Sequence, residues 1–451
     1  MQITFLGATG TVTGSKYLVS SNETKILIDC GLFQGLKALR LRNWDRLPVD
    51  IASINAVILT HAHIDHSGYL PILVKQGFRG RIYCSAATHE LCSILLPDSG
   101  RLQEEQADYA NRHGFSKHKP ALPLYTEQDA RHSLSFFVPV EFEQENVHGG
   151  LRFVLYPSGH IPGAASVRIG NGNTRIAFSG DVGRPDDPIM KPPVVVQEAD
   201  YLVVESTYGN RRHPEEDPRQ MLGNIINKTI ARKGAVIVPA FAVGRTQLLL
   251  HYIRQLKDDG TIPDIPVYLN SPMAVHATEI FYRHYQEHRL SLQQCEAACS
   301  VAMVVESADE SMELNRRHGP MIVLAGSGMA TGGRVVHHLK AFAPDARNTI
   351  LFVGFQAEGT RGAAMLNGAQ TIRIHGEDVP VRAEVSSIQS LSAHADYAQI
   401  LDWMKLMKRA PRQVFVTHGE ISAANAMVEH IEKTLHWPAR VPEYMEIVET
   451  E

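Results

Sequence analysis

His61-Ala62-His63-Ile64-Asp65-His66 is the stretch on which the reading of this 451-residue chain turns. It follows Ala56-Val57-Ile58-Leu59-Thr60, a short apolar run of the buried-strand type. In an extended loop, residues two apart face the same way, so His61 and His63 can grip one cation. Asp65 and His66 follow and can reach a second. The spacing is not that of the helical His-Glu-x-x-His proteases. Imidazole and carboxylate donors without a thiolate suit zinc, with manganese and iron as alternatives. A catalytic zinc site also keeps one position for water or substrate.

The same pattern recurs along the chain. Lys25–Ile28 ends in Asp29, Phe153–Tyr156 runs on to His160, and Ile176–Gly180 ends in Asp181. Leu202–Val204 ends in Glu205, and Val414–Thr417 ends in His418. Ligands of α/β proteins gather at the ends of strands. One polar residue at a strand end only starts a loop. Six strands that each deliver an acid or an imidazole predict one shared polar site.

Composition narrows the function. Lys plus Arg number 44 and Asp plus Glu 48, for a net charge of −4, which excludes a strongly basic duplex-wrapping protein but not one that grips nucleic acid in a cleft. The longest apolar stretches, such as 235–243, are about half of the roughly 20 residues that a membrane span needs. No secretory leader is read at the N-terminus. The five cysteines are sparse and odd in number, which argues for a reducing cytoplasm rather than a disulfide framework. Cys295 and Cys299, four apart on a helical stretch, are read as buried thiols. The distinctive count is the 22 histidines.

From about Asn210 the pattern changes to strand–loop–helix units. Asp217-Pro218 reads as a helix cap followed by proline at the first helical position. Ala235–Ala242, Val267–Asn270, Met321–Ala325 and Thr349–Gln356 read as strands. The alternation predicts an α/β block with a mainly parallel sheet, inserted into an outer domain whose short strands resume after His375. The expected boundaries are 1–208 and 377–451 for the outer domain and 209–376 for the insertion.

These residues carry a resemblance. Asp29, His61-x-His63-x-Asp65-His66, His160 and Asp181 resemble the metallo-β-lactamase fold, an αββα sandwich. Glu205 in Glu205-Ser206-Thr207-Tyr208-Gly209, His394 in Ser392-Ala393-His394-Ala395-Asp396 and His418 in Thr417-His418-Gly419 are similar to the three added motifs of the β-CASP nucleases. Gly326-Ser327-Gly328-Met329 and Asn270-Ser271-Pro272-Met273 resemble bacterial RNases akin to the endonuclease subunit of the eukaryotic pre-mRNA 3′-end cleavage complex. The likeness covers nearly the whole chain. It implies that His61, His63 and His160 hold one zinc, that Asp65, His66 and His418 hold a second, and that Asp181 bridges both. Asp29 is expected to orient a ligand from behind. A histidine at position 418 is what the RNA-directed members carry.

The resemblance implies a zinc-dependent ribonuclease, an endonuclease with scope for 5′-exonuclease action, that leaves 5′-phosphate and 3′-hydroxyl ends. Two zincs about 3.5–4 Å apart would activate a bridging water and clamp the phosphodiester for in-line attack. Asp65, Glu205 and His394 are the expected catalytic residues, with His394 as acid for the leaving oxygen and Glu205 orienting it. The partner implied is single-stranded RNA, with a homodimer left open and no membrane. Gly7–Gly14 departs from a dinucleotide fingerprint, and Gly328–Val335 lacks the Lys and Ser/Thr of a P-loop. A Gly-rich turn opening a helix still offers backbone N–H groups to phosphate. Ser327, Gly328 and Arg334, with Ser271, are therefore expected to cradle the RNA backbone. Arg245 reads equally well as a structural ion-pairing residue. A small-molecule metallohydrolase is the competing function, and an inactive binding subunit a weaker third.

Overall fold

Alternating apolar residues build two facing sheets. The computed structural model describes residues 1–114 and 116–450. One seven-stranded sheet runs, in order, Ile447–Glu449, Gln2–Phe5, Tyr17–Ser21, Thr24–Ile28, Ala56–Ile58, Arg81–Cys84 and Phe137–Pro139. The other runs Ala439–Arg440, Gln413–Val416, Tyr201–Val204, Arg175–Phe178, Ala165–Gly170, Leu151–Pro157 and Asn146–His148. Ile3, Phe5, Val19, Ile26, Ile28 and Ile58 of the first pack against Phe153, Leu155, Val167, Ile169, Phe178, Val203 and Phe415 of the second. Each set has the period of two that puts one side of a strand into a core. On the outer side of the second sheet, Leu202, Val204, Val414 and Val416 pack against Ile400, Leu401, Met404, Met427 and Ile431, which project from helices Tyr397–Lys405 and Ile421–Leu435. The result is the expected αββα sandwich.

The inserted block is a six-stranded sheet in the order Met303–Val304, Val267–Asn270, Met321–Ala325, Ala235–Pro239, Thr349–Phe352 and Glu384–Ser387, with every pairing parallel. Helix Pro218–Ala231 starts as the sequence predicts, with the Asp217 side chain accepting the Arg219 N–H. The chain divides into two compact units. Residues 1–212 and those from His394 onward form the first, and His213–Ala393 the second. The second unit therefore outruns the expected boundary at 376. Hairpin Thr371–Ile374 with Glu377–Pro380 sends Ile372, Ile374 and Val379 into the core of the second unit, and Glu384–Ser387 closes its sheet beside Thr349–Phe352. Among the described residues no helix is long and apolar enough to cross a membrane.

Candidate metal centre

The His61–His66 stretch leaves strand Ala56–Ile58 and turns into the short helix Ile64–Ser67, with His63 at its N-cap. Backbone bonds fasten it from below. Ser15 N–H donates to the Asp65 carbonyl at 2.9 Å, Cys30 N–H to His66 at 2.7 Å and Leu32 N–H to Ile64 at 2.9 Å. Gly31 lies so close that a Cβ there would sit 1.6 Å from the Asp65 carbonyl oxygen, so no other residue fits.

Two sets of donor atoms converge above this loop. In the first, His61 Nε2 and His63 Nδ1 are 3.1 Å apart, and His160 Nε2 and His63 Nδ1 are 3.2 Å apart. Asp181 Oδ2 lies 3.4 Å from His61 Nε2 and 3.5 Å from His160 Nε2. In the second, His66 Nε2 is 3.1 Å from His418 Nε2 and 3.2 Å from Asp181 Oδ1, and Asp65 Oδ2 is 3.4 Å from His418 Nε2. The edge of a tetrahedron of ligands about 2.0 Å from zinc is roughly 3.3 Å, so both donor sets fit such an ion. Asp181, 2% exposed, turns one oxygen towards each set, and its Oδ1 has no hydrogen bond of acceptable geometry.

The charge states of His61, His63 and His160 agree with ligation. Burial, helped by repulsion from His66, lowers His61 to about 3, and burial lowers His63 to about 4. Burial also holds His160 well below the usual imidazole range. All three are neutral at pH 7 and offer a lone pair. Burial opposes the charge on Asp181, but the surrounding imidazoles hold it well below the usual carboxylate range. His66 behaves oppositely. Burial would lower it, yet Asp181 and Asp29 raise it well above the usual value. Asp29 Oδ2 is 2.7 Å from His66 Nδ1, while its Oδ1 accepts the Thr60 N–H at 2.7 Å. This fixes the ring so that Nε2 faces the centre.

Glu205 and His394 complete the group. His394 Nδ1 is 3.1 and 3.0 Å from the two Glu205 oxygens, and Glu205 Oε1 also accepts the Val182 N–H at 2.6 Å. The His394 side chain is 16% exposed, whereas Glu205 is fully enclosed. Burial disfavours the imidazolium, but the Glu205 and Asp181 carboxylates outweigh it and raise His394 to about 9. The first unit thus gathers all seven proposed ligands with Glu205 and His394. His418 has a φ of +48°, and the Tyr17 hydroxyl, from one sheet, meets that of Thr417, just past strand Gln413–Val416 of the other, at 3.0 Å.

Ser271, Ser327, Gly328 and Arg334 belong to the second unit; Ser271 and Ser327-Gly328 follow the C-terminal ends of Val267–Asn270 and Met321–Ala325, and Arg334 opens helix Arg334–Phe342. Ser271 caps helix Pro272–Arg283, and the Ser327 hydroxyl meets that of Thr331 at 3.0 Å. A Cβ on Gly326 would lie 3.5 Å from Ser271 Oγ, so the two loops adjoin. Arg334 differs from expectation. Its guanidinium donates to Asn270 Oδ1 at 2.7 Å, to the Val305 carbonyl at 2.8 Å and to the Glu306 carbonyl, because it buttresses the loops from behind. Sequence reasoning missed the buried network that continues from it through Asn270, His338 and Asn315. Asn270, quoted beside Ser271, was its one sequence signal. Arg245 is buried and donates to the Leu391 carbonyl. Cys295 is buried, but Cys299 is exposed, which corrects the pair of buried thiols.

Three family models match the chain: the metallo-beta-lactamase superfamily over residues 9–240, the Beta-Casp domain over 246–365 and the Zn-dependent metallo-hydrolase RNA specificity domain over 378–442. Ribonuclease TTHA0252 of Thermus thermophilus is 35% identical over 93% of both chains. The transcription termination factor FttA of Methanosarcina mazei is 31% identical over 99% of this chain and 71% of its own. A solved structure of a protein of unknown function from Enterococcus faecalis V583 shares the fold at a TM-score of 0.53, with 14% identity and 99% of each chain covered. The chain is a member of the metallo-beta-lactamase superfamily, in the group that carries the Beta-Casp and RNA specificity domains.

Proposed function

We propose that this metal-dependent ribonuclease cuts RNA phosphodiester bonds hydrolytically at a centre of two zinc ions, chiefly as an endonuclease, leaving 5′-phosphate and 3′-hydroxyl ends. One observation carries the reading: Asp181 gives one oxygen to each of two donor sets whose spacings both suit a tetrahedral ion. Zinc ions bound there supply an activated water and positive charge for the phosphate oxygens.

The chain's own residues do the rest. His61, His63 and His160 offer neutral lone pairs on one side, and Asp65, His66 and His418 close the other. Asp29 holds the proton on His66 Nδ1. His394 is the proton donor to the leaving 3′ oxygen. Its raised pKa keeps it protonated at pH 7, its Nδ1 is held by Glu205, and its Nε2 is left to face the substrate. Ser271, Ser327 and Gly328 contact the RNA backbone, with Arg334 holding their loops in place.

Purified protein would be incubated with end-labelled linear RNA and with circular RNA, with and without chelator. Cleavage of the circle, abolished by chelator and restored by zinc, with 5′-phosphate ends, supports the proposal. Hydrolysis of lactams or thioesters without RNA cleavage would favour the small-molecule alternative and overturn it.

A further inference from the structure

The segment Gln34–Arg46 lies in the connection between strands Thr24–Ile28 and Ala56–Ile58 and enters neither sheet. It carries Lys37, Arg40, Arg42 and Arg46 against one acid, Asp45. None of the four cations forms an ion pair among the described residues. Other exposed cations of this unit do pair, as in Lys75–Asp129, Arg101–Glu105, Arg131–Glu127 and Arg152–Glu145. Trp44 stands 57% exposed, with Leu41 at 52% and Leu36 at 41%. A large ring and unpaired cations side by side, on a chain of net charge −4, form a local surface unlike the rest of the composition.

The segment is also firmly mounted. Asn43 is buried and bonds the Phe33 backbone in both directions, accepting its N–H at 2.9 Å and donating to its carbonyl at 2.8 Å. The Tyr69 hydroxyl donates to the Asp45 carbonyl at 3.1 Å. The Arg42 guanidinium lies 4.3 Å over the Tyr444 ring and 5.6 Å over Phe33. Phe33 adjoins Leu32, which bonds the metal loop, and Tyr69 follows the helix that carries Asp65 and His66. Even a fully extended chain would keep Lys37 within about 18 Å of Leu32.

We propose that Gln34–Arg46 is a landing surface for single-stranded RNA, with Lys37, Arg40 and Arg46 on successive phosphates and Trp44 stacking on a base. This rests on the reading of the protein as a ribonuclease. Backbone cations interleaved with an exposed aromatic are the general means of holding single strands without sequence preference. A surface for a second copy of the chain would have to bury the same unpaired cations against each other, which disfavours it.

The test uses the full-length, zinc-loaded protein and a fluorescein-labelled 20-nucleotide oligouridylate. Lys37→Gln/Arg40→Gln/Arg46→Gln and Trp44→Ala are compared with wild type, with metal content and Tm confirming that each variant folds. The triple variant is expected to flatten the slope of log affinity against log salt by about 2, since each single-strand phosphate contact contributes about 0.7. Trp44→Ala should weaken binding at least fivefold, and RNA should quench wild-type fluorescence more than that of the variant. If wild type cuts RNA but neither variant changes affinity or salt slope, the landing surface is wrong and the ribonuclease reading stands. If the variants alter oligomeric state alone, the surface is a copy-to-copy interface and the proposal is overturned. If wild type neither binds nor cuts RNA, the ribonuclease reading falls and takes this proposal with it.

Discussion

His394 is held between two carboxylates: its Nδ1 is 3.0 Å from Glu205 Oε2, and its Nε2 is 3.9 Å from Asp181 Oδ2. One ring nitrogen is therefore committed to the protein while the other looks onto the centre. If Nε2 protonates the leaving oxygen, His394→Ala should slow cleavage by about 10²–10⁴-fold, the usual contribution of a general acid. Metal content should not change. The defect should shrink on an RNA with sulfur at the bridging 3′ position, because a thiolate leaves without a proton. Equal losses on both substrates would remove the acid role.

Glu205→Gln should act through that same ring. Glu205 is the largest influence raising His394 towards 9, so its removal should lower the pKa. An acid must be protonated to act, and the rate falls as pH rises through its pKa. The alkaline limb of kcat should therefore move to lower pH in the variant. A limb that stays in place would separate it from His394.

Asp181→Ala removes the carboxylate proposed to be shared by both donor sets. Loss of an outer partner of a metal ligand costs about 10–100-fold in affinity or activity, so loss of the shared ligand should exceed 100-fold. Metal should fall from about two ions per chain to fewer than one. Asp29→Ala, which frees His66 Nδ1, should stay within the outer-partner range. Elemental analysis of both variants checks this, and active protein with one metal or none would refute the bridging assignment.

Metal uptake should release protons. His66 is held well above the ordinary imidazole range in the metal-free chain, so it is charged at pH 7 and must give up its proton to serve as a ligand. Affinity at the site formed by Asp65, His66 and His418 should therefore rise with pH. Calorimetric titration with zinc in buffers of different ionisation heat would count the protons, and a count of zero would contradict the charge state.

Lys16 gives a separate prediction for stability. It is buried, its ammonium donates to the Gly31 carbonyl, and it lies 4.5 and 5.0 Å over the Phe33 and Tyr69 rings. Burial lowers it from 10.5 to about 8, against a smaller opposite pull from Cys30. Between those values the unfolded chain holds a proton that the folded chain has lost, so stability rises with pH across the window. Thermal unfolding of wild type and Lys16→Met from pH 7 to 10.5 should diverge by an amount on the order of 3 kcal/mol. Parallel curves would rule it out.

The six strand ends were legible because a buried strand leaves its last residue at a sheet edge whatever follows. The Asp217 cap was legible for a similarly local reason. The boundary at 376 was not, because Glu384–Ser387 looks like any short strand and only its parallel partner Thr349–Phe352 decides which sheet it joins. Arg334 read as a phosphate contact because sequence supplies its charge but not the carbonyls of Val305 and Glu306 that occupy it.

His66 and His418 meet at 3.1 Å although 352 positions separate them along the chain. At translation speeds of about 5–20 residues per second, the ribosome takes roughly 20–70 s to make the second after the first. Throughout that interval the nascent polypeptide lacks a complete centre. A ribonuclease chain is thus tethered to its own messenger for that whole interval before the last of these histidines exists to join the group.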